Sequence, residues 1–213
     1  MQADRNWDSP LPPSPSPHQR LRLEQMRSQR AGPLSLVLPA GTCLAITGPS
    51  GAGKSLLLRM IADLDANDGE AWVDGRARSG MDGPSWRRQV IYVAAEAGWW
   101  HDRVGPHFEA PPIDLAARLG LAPTIFDRQV HNCSTGERQR LGLLRALTRR
   151  PPVLLLDEPT GPLDPETAGQ VEAVLRERLQ EGTTILLVTH DAAQAQRLGT
   201  CRARAAEGRL HLT

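Results

Sequence analysis

The sequence predicts an α/β fold built on a mostly parallel sheet. Two short apolar runs, 152–156 and 183–188, show no polar alternation, and a helical pattern over 171–179 separates them. Strands without alternation are buried on both faces, and helices between them favour parallel pairing. A third apolar run, 43–46, ends at a glycine-rich loop that leads into another helical pattern.

The flanking elements follow in chain order. Leu34, Leu36 and Leu38 alternate with smaller or polar residues, which is typical of a half-buried strand. Apolar residues after the glycine-rich loop recur at helical spacing up to the breaker Asn67-Asp68-Gly69: Leu56, Leu57, Met60, Ile61 and Leu64. Residues 98–150 begin with weak periodicity and end in a helix after Ser134, so we expect an inserted helical subdomain there.

Residues 1–20 are predicted to be a disordered tail. Ser9 to Pro17 is rich in proline and serine, a composition that buries too little apolar area to fold. The other residues, 21–213, are expected to form one folded unit, because a chain of 213 residues with 40% hydrophobic side chains can bury one substantial core.

Charge and cysteine content argue against several classes of protein. With 25 basic and 24 acidic residues, a formal charge of +1 gives no field that would favour nucleic acid. Cys43, Cys133 and Cys201 form no C-x-x-C pair, which fits neither a disulfide framework nor a zinc site and indicates a reducing cytosol. The chain shows no secretory signal and no run of about 18 apolar residues, so we expect any membrane contact to occur through a partner.

One motif predicts phosphate binding. The eight residues between the third strand and its helix fit G-x-x-x-x-G-K-[ST]: Gly48, Pro49, Ser50, Gly51, Ala52, Gly53, Lys54 and Ser55. Glycines let several backbone N–H groups point at one anion, Lys54 would hold the β- and γ-phosphates, and Ser55 would ligate magnesium. The alternative is a glycine-rich turn with a surface lysine and serine, and the strand-loop-helix context favours the phosphate loop.

Polar residues follow two of the predicted parallel strands. Asp157 and Glu158 end the run 153–156, at the edge where open α/β sheets bind ligands. Asp157 is suited to hold magnesium, and Glu158 could polarise an attacking water, its side chain pointing the other way because strand side chains alternate. His190 ends the next strand and could contact a γ-phosphate. The alternatives are a strand that simply ends in polar residues and a structural histidine.

With these motifs the chain resembles the nucleotide-binding domain of ABC ATPases, and the segment that separates it from other P-loop enzymes is Cys133-Ser134-Thr135-Gly136-Glu137. The family signature reads Leu-Ser-Gly-Gly-Gln, of which this chain keeps the serine and the second glycine. Ser134 and Glu137 also form a Ser-x-x-Glu capping box, so a well-capped helix is the simpler alternative. Gly161-Pro162-Leu163-Asp164 is similar to the family's D-loop, with Asp164 also readable as a helix N-cap. The resemblance covers about 21–213.

The resemblance implies a P-loop NTPase core with a mostly parallel sheet, an antiparallel β subdomain and an inserted α-helical subdomain at about 98–150. It implies an ATPase that uses ATP and Mg²⁺ and closes head to tail with a second copy or a related chain. It also implies a separate transmembrane permease subunit, and hence a cytoplasmic position at the inner face of the membrane. The site residues it implies are Gly48 to Leu56, Ser134, Gly136, Glu137 and Asp164 for nucleotide, Ser55 and Asp157 for metal, and Lys54, Glu158 and His190 for catalysis.

The sequence departs from the family pattern at two places. Members usually stack an aromatic residue upstream of the phosphate loop on adenine, and 21–32 contains none, which leaves Arg27 or Arg30 as a guanidinium that could stack. Members also usually carry a glutamine after the strand at 90–94, where this chain has Ala95. We expect Glu96 to replace it as an oxygen ligand of magnesium.

Trp99 and Trp100 follow in a region that receives a helix of the membrane subunit in ABC transporters. They are predicted either to form part of that interface or to lie in the subdomain core. Three other functions stay open: a soluble ABC-type ATPase outside transport, a P-loop kinase of a small metabolite, and a non-catalytic nucleotide sensor. The joint presence of Lys54, Asp157, Glu158 and His190 argues against the sensor.

Overall fold

The computed structural model describes residues 19–212, and these residues form two sheets and the helices that pack on them. The strands are β1 (Gln19–Arg27), β2 (Leu34–Pro39), β3 (Cys43–Thr47), β4 (Asp68–Val73), β5 (Arg76–Ala77), β6 (Val90–Val93), β7 (Val153–Asp157), β8 (Thr184–Val188), β9 (Cys201–Ala206) and β10 (Arg209–Leu212). The α-helices are α1 (Lys54–Ile61), α2 (Gly83–Gln89), α3 (Ile113–Arg118), α4 (Thr135–Leu147), α5 (Pro165–Gln180) and α6 (Ala192–Leu198).

The larger sheet has six strands in the order β10-β9-β3-β8-β7-β6, and each pair except β10-β9 is parallel. The smaller sheet is antiparallel, in the order β2-β1-β4-β5. The predicted α/β class with a mostly parallel sheet and an antiparallel β part is therefore confirmed. The sheet order brings the carboxyl ends of β3, β7 and β8 to one edge, since these strands run in the same direction.

Two hydrophobic clusters cover the faces of the larger sheet. Leu155 and Leu186 face α1 and the smaller sheet, whereas their neighbours Leu154 and Leu187 face α4 and α5. Alternate residues of one strand thus enter opposite clusters, which is why the strand sequences carry no polar alternation. Along β3, β7 and β8 both faces of the sheet are dry, so polar side chains in these three strands concentrate at their ends.

Helix α1 ends earlier than its apolar pattern suggests. The pattern runs to Leu64, but the helix stops at Ile61 and Leu64 is 42% exposed. Asp63 adopts a left-handed φ of 57°, and the amides of Asp63 and Leu64 donate to the carbonyls of Met60 and Arg59. This is a Schellman ending, with aspartate at the position that glycine usually takes.

Two of the predicted segments, the tail and the helical subdomain, overlap the residues that the structure describes. Of the predicted tail, 1–18 lies outside the described residues, whereas Gln19 and Arg20 belong to β1, where Arg20 pairs with Asp74. Residues 98–150, the predicted helical subdomain, contain α3, α4 and three short 3₁₀ turns. The division of the chain into domains stays a prediction. In residues 19–212 there is no helix long and apolar enough to cross a membrane.

Candidate nucleotide-binding and catalytic site

The predicted phosphate loop joins β3 to α1 and is wrapped around its own lysine. Lys54 Nζ donates to the carbonyl oxygens of Gly48 and Pro49, each at 2.9 Å. Gly48, Gly51 and Gly53 have φ of 145°, 78° and 86°, angles that L side chains rarely adopt. The loop therefore holds an ammonium group at the start of a helix, and an anion bound there would meet both the helix N-terminus and Lys54.

The hairpin of β9 and β10 supports this loop from behind. A Cβ at Gly48 would lie 2.4 Å from the carbonyl oxygen of Ala205, and one at Gly53 would lie 3.2 Å from the Cα of Gly208. Gly208 also donates its amide to the carbonyl of Ala52 at 3.2 Å. The glycines are thus needed for close packing on the hairpin as well as for the curl of the loop.

Asp157 ends β7 with its carboxylate almost buried, at 5% exposure. Its Oδ2 accepts a hydrogen bond of 2.9 Å from the hydroxyl of Tyr92, which lies on the neighbouring strand β6. Burial, and then the adjacent carboxylate of Asp157, raise the pKa of Tyr92, so the phenol keeps its proton and acts as donor. Asp157 lies on the same face of β7 as Leu155, the face that packs against α1.

Glu158 and His190 are brought together although 32 positions separate them in the chain. His190 Nδ1 lies 2.7 Å from Glu158 Oε2, and the His190 backbone amide donates to the same oxygen at 3.3 Å. Glu158 lies just beyond β7 with a left-handed φ of 49°, a conformation that costs a non-glycine residue about 1 kcal/mol. This turn directs the Glu158 side chain to His190, so its direction follows from the left-handed backbone rather than from strand alternation.

The turn at Glu158 is fixed from both sides. The Glu158 amide donates to the carbonyl of Val188 at 2.9 Å, and the side chain of Gln139 donates to the carbonyl of Glu158. Gln139 is buried on α4, so this helix clamps the backbone that presents the carboxylate. A non-glycine residue keeps a left-handed backbone conformation only when contacts with its surroundings hold it there.

The donors predicted for magnesium are oxygen atoms, the type that this ion prefers. Ser55 is exposed in the first turn of α1, and Asp157 has one oxygen engaged by Tyr92 and the other without a hydrogen bond among residues 19–212. Within that range, no three His, Cys, Asp or Glu side chains cluster as a metal cage. A hydroxyl and one carboxylate fit an ion that takes its other ligands from phosphates and water. Glu96 lies exposed in the bend after β6, and its role as a ligand stays a prediction.

The signature segment begins α4 with the predicted capping box. The Glu137 amide donates to Ser134 Oγ at 3.1 Å, and the Ser134 amide donates to Glu137 Oε2 at 2.7 Å. Burial opposes ionisation of Glu137, but its hydrogen bonds from Ser134 and Arg128 outweigh burial and lower its pKa. Gly136 lies against the D-loop of the same chain, since a Cβ there would be 2.9 Å from Leu163 Cδ2. Asp164 caps α5 by accepting from the Thr167 amide at 2.9 Å.

Comparison with known proteins decides the family. The family model described as ABC transporter matches residues 31–161, which is more than half of the chain. The chain belongs to the ABC transporter family. It is an ABC-type ATPase domain, and the resemblance inferred from its motifs is confirmed.

Several curated relatives of this ABC domain carry names of import systems. The chain is 36% identical over 193 residues to an Fe(3+) ions import ATP-binding protein of Pseudomonas fluorescens, covering 83% of this chain and 54% of the relative. It is 39% identical over 175 residues to an aliphatic sulfonates import ATP-binding protein of Agrobacterium fabrum, covering 78% of this chain and 66% of the relative. The chain thus spans between half and two thirds of the length of these relatives.

Solved structures agree on the fold of the ABC domain. A structure titled as the ATP binding subunit of an ABC transporter superposes with a TM-score of 0.80 at 24% identity, covering 90% of this chain and 88% of that one. A bacterial Atm1-family ABC exporter with ATP bound gives 0.79 at 25% identity, covering 91% of this chain and 38% of that one.

The sequence patterns do not mark two residues that contact the site of this ABC domain. Tyr92 lies within the predicted strand at 90–94, and the available signal is that a half-buried phenol needs a polar partner and that this is the single tyrosine of the chain. Gln139 lies in the predicted helix after Ser134, and no sequence signal marks its contact with Glu158. Both bonds join segments far apart in the chain.

Proposed function

We propose that this chain binds ATP with magnesium, hydrolyses it, and thereby powers an ABC transporter. The observation that carries the catalytic half is the pair of Glu158 and His190, 2.7 Å apart at the same sheet edge as the phosphate loop. A general base must be held within hydrogen-bond reach of the water that it deprotonates, and a histidine that fixes the orientation of a carboxylate serves this purpose. Site residues on the loop, Gly48 to Leu56, supply the anion site beside it.

In this proposal each side chain has a separate task. Backbone amides of the loop and Lys54 bind the β- and γ-phosphates, and Ser55 and Asp157 hold magnesium, which offsets negative charge on the transferred phosphoryl group. Glu158 accepts a proton from the attacking water. His190 donates through Nδ1 to Glu158, which leaves its Nε2 available for a second polar contact.

The site is completed by a second chain. Helix α4 begins at Ser134, Gly136 and Glu137, and α5 begins at Asp164. The two helix starts are neighbours, because Gly136 lies against Leu163, the residue before Asp164. We propose that this paired helix start faces the phosphate loop of a second copy or a related chain, with ATP between them. Helix N-termini favour anions, so closure places a second positive dipole end at the γ-phosphate.

Adenine binding is assigned to the segment at Arg30. Arg27 is engaged with Asp68, its Nε lying 3.2 Å from Oδ2. Arg30, by contrast, lies next to the loop's support, because a Cβ at Gly208 would be 2.5 Å from the Arg30 carbonyl oxygen. We therefore propose Arg30 as the residue whose planar guanidinium stacks on the base.

The proposed role in transport is supported by the family and by a groove beside β6. The import-system names of the relatives support a motor subunit that works with a separate permease at the cytoplasmic face of the membrane. A cavity of about 320 Å³ lies along β6, and its lining includes Arg87, Arg88, Arg145, Arg149 and Trp100. We propose that this groove, named here the β6 groove, receives the permease.

The two tryptophans at this groove have different surroundings. Trp99 packs against the hydrophobic cluster under α4, whereas Trp100 is 63% exposed. Arg145 lies over both rings, with its Cζ 5.1 Å from the centre of Trp99 and 4.6 Å from that of Trp100. We therefore propose Trp100 for the interface and Trp99 for the subdomain core.

Replacement of Glu158 by glutamine tests the catalytic half. Glu158→Gln keeps the shape of the side chain but removes the base, so we expect ATP binding to persist, hydrolysis to fall by at least 100-fold, and the ATP-bound dimer to accumulate. Hydrolysis is measured as phosphate release without any added phosphate acceptor, and dimer formation by size exclusion with light scattering.

Glu109→Gln is the matched control, since Glu109 is exposed and makes no hydrogen bond among residues 19–212. Normal turnover by Glu158→Gln would refute the assigned base. Turnover by the unmodified protein only when a small-molecule acceptor is added would instead indicate a metabolite kinase.

A further inference from the structure

The bond between Tyr92 and Asp157 ties the edge strand of the large sheet to the predicted metal carboxylate. Tyr92 pairs with Leu155 in the parallel register of β6 and β7, and Asp157 lies two residues further on the same face. The phenol of Tyr92 therefore reaches Asp157 Oδ2 diagonally, at 2.9 Å. The ring itself packs against the hydrophobic cluster under α1, which fixes its direction.

Asp157 has few other groups to hold it. Among residues 19–212, its carboxylate makes no ion pair and accepts no hydrogen bond except the one from Tyr92. A carboxylate at 5% exposure needs a donor on one oxygen, and a charge-assisted bond is the stronger kind. Oδ2 is hydrogen-bonded to the phenol and Oδ1 has no hydrogen bond among residues 19–212, so Oδ1 is the more accessible oxygen for a ligand, and rotation of the carboxylate would break the bond to Tyr92.

The segment that follows the strand of Tyr92 is where this chain lacks the family's usual polar residue. Ala95 takes that place, and Glu96 lies exposed beyond it. Tyr92 is thus the residue of β6 whose side chain has a polar atom, its hydroxyl, in contact with the site at Asp157. Groups that hydrogen-bond to a metal ligand from outside the coordination sphere typically cost 10- to 100-fold in metal affinity or activity when they are mutated.

We propose that Tyr92 is a positioning residue for magnesium: its hydroxyl holds Asp157 Oδ2 and thereby orients Oδ1 toward the ion at the phosphate loop. The inference rests on the proposed function, because it presumes a magnesium-nucleotide site at Asp157. It assigns Tyr92 no contact with nucleotide and no part in proton transfer.

Equilibrium binding of a non-hydrolysable ATP analogue tests this role without turnover. Tyr92→Phe removes a single hydroxyl, so we expect analogue affinity in EDTA to be unchanged, while the Mg²⁺ concentration that gives half of the affinity gain rises about tenfold. In an Asp157→Asn background the same substitution should have no further effect, since the bond's charged acceptor is already gone.

Trp86→Phe is the matched control. Trp86 is buried on α2 in the same hydrophobic cluster, and its Nε1 donates to the carbonyl of Ile61 at 3.0 Å. This variant also loses one hydrogen bond near α1, so urea unfolding of both variants measures the general loss of stability. Only Tyr92→Phe is expected to change the Mg²⁺ requirement, and an equal change in both variants would reduce Tyr92 to a structural role and overturn the inference.

A second measurement uses the unmodified protein and does not depend on the folding of a variant. Because Tyr92 is the only tyrosine, ¹³Cζ-tyrosine labelling gives one NMR signal. That signal should shift when Mg²⁺ is added to the analogue complex, and an unmoved signal contradicts the inference. If the unmodified protein binds no analogue, the proposed function fails and this inference fails with it, whereas Mg²⁺-dependent binding that is unchanged in Tyr92→Phe overturns the inference alone.

Discussion

Position 48 requires a residue that adopts a positive φ and has no Cβ, and only glycine meets both requirements. Its φ of 145° lies outside the conformations of L residues, and a Cβ would sit 2.4 Å from the carbonyl oxygen of Ala205. That oxygen belongs to β9 in the large sheet, so it cannot withdraw without disturbing β3 and β9 together. The phosphate loop thus depends on a contact with a strand about 150 positions later in the chain.

Replacement of Gly48 by alanine should therefore cost more than backbone strain alone. We expect Gly48→Ala to lower the free energy of unfolding by about 3 kcal/mol or more and to abolish nucleotide binding. Gly75→Ala is the control, because Gly75 also has a positive φ, 76°, but a Cβ there meets nothing within 4 Å. It should cost about 1 kcal/mol. Urea unfolding of both variants checks this, and equal losses would contradict the role of Ala205.

At the scale of single elements, the start of α4 is a helix end stabilised by its own side chains, and it is the segment proposed to face a second chain. The capping box satisfies two backbone amides, and Arg128 pairs with Glu137 at 2.7 Å. These bonds lower the pKa of Glu137 despite its burial. The residues that stabilise the helix are thus the ones that our proposal places against a second chain.

The stability of α4 should depend on pH in the acid range. Glu137 has a folded pKa below its ordinary value of 4.5, so its contribution is complete above that value and disappears as the pH falls through the lower, folded pKa. We expect Glu137→Gln to be less stable by about 1 kcal/mol at pH 7, with the difference closing below pH 4.5. Urea unfolding between pH 3 and pH 7 measures it.

Glu166→Gln is the control for the helix dipole, because Glu166 lies in the first turn of α5 and makes no side-chain hydrogen bond in the part of the chain described. A pH-dependent difference of the same size in both variants would show that the dipole, rather than the capping box, is responsible.

At the scale of the whole molecule, the open edge of the large sheet carries unbalanced positive charge. Arg88, Arg145 and Arg149 line the β6 groove without an ion pair within residues 19–212. Burial, and then the neighbouring Arg149, lower the pKa of Arg145. Tyr92 lines the same groove, so β6 separates the proposed partner surface from Asp157 by the width of one strand.

Charge reversal in the groove tests whether the permease binds there. We expect the tagged chain to co-purify from detergent-extracted membranes with a polytopic membrane protein identified by mass spectrometry, and Arg149→Glu to reduce the recovered amount at least tenfold. Arg76→Glu, on β5 of the smaller sheet and outside the lining of the groove, is the control for net charge and should recover the same amount as the unmodified chain. Recovery with soluble proteins alone would contradict the transport half of the proposal.

The features that could be predicted from the sequence are those that a short segment encodes. The phosphate loop, the buried strands at 153–157 and 184–188, and the capping box each lie within about ten consecutive residues, where glycine, apolar and polar spacing act locally. These segments were sufficient to predict the fold class and the family. Helix α1 was predicted three residues too long, because a left-handed Asp63 has no sequence signal as clear as glycine.

Contacts between polar groups of distant segments depend on the tertiary structure. Parallel strands β6, β7 and β8 lie side by side although long connections separate them in the chain, so only the sheet order brings Tyr92 to Asp157 and His190 to Glu158. Gln139 reaches the Glu158 carbonyl for the same reason, from a helix packed across the sheet. Local sequence patterns identify the candidate site residues, whereas hydrogen bonds between distant segments depend on the packing of the whole sheet.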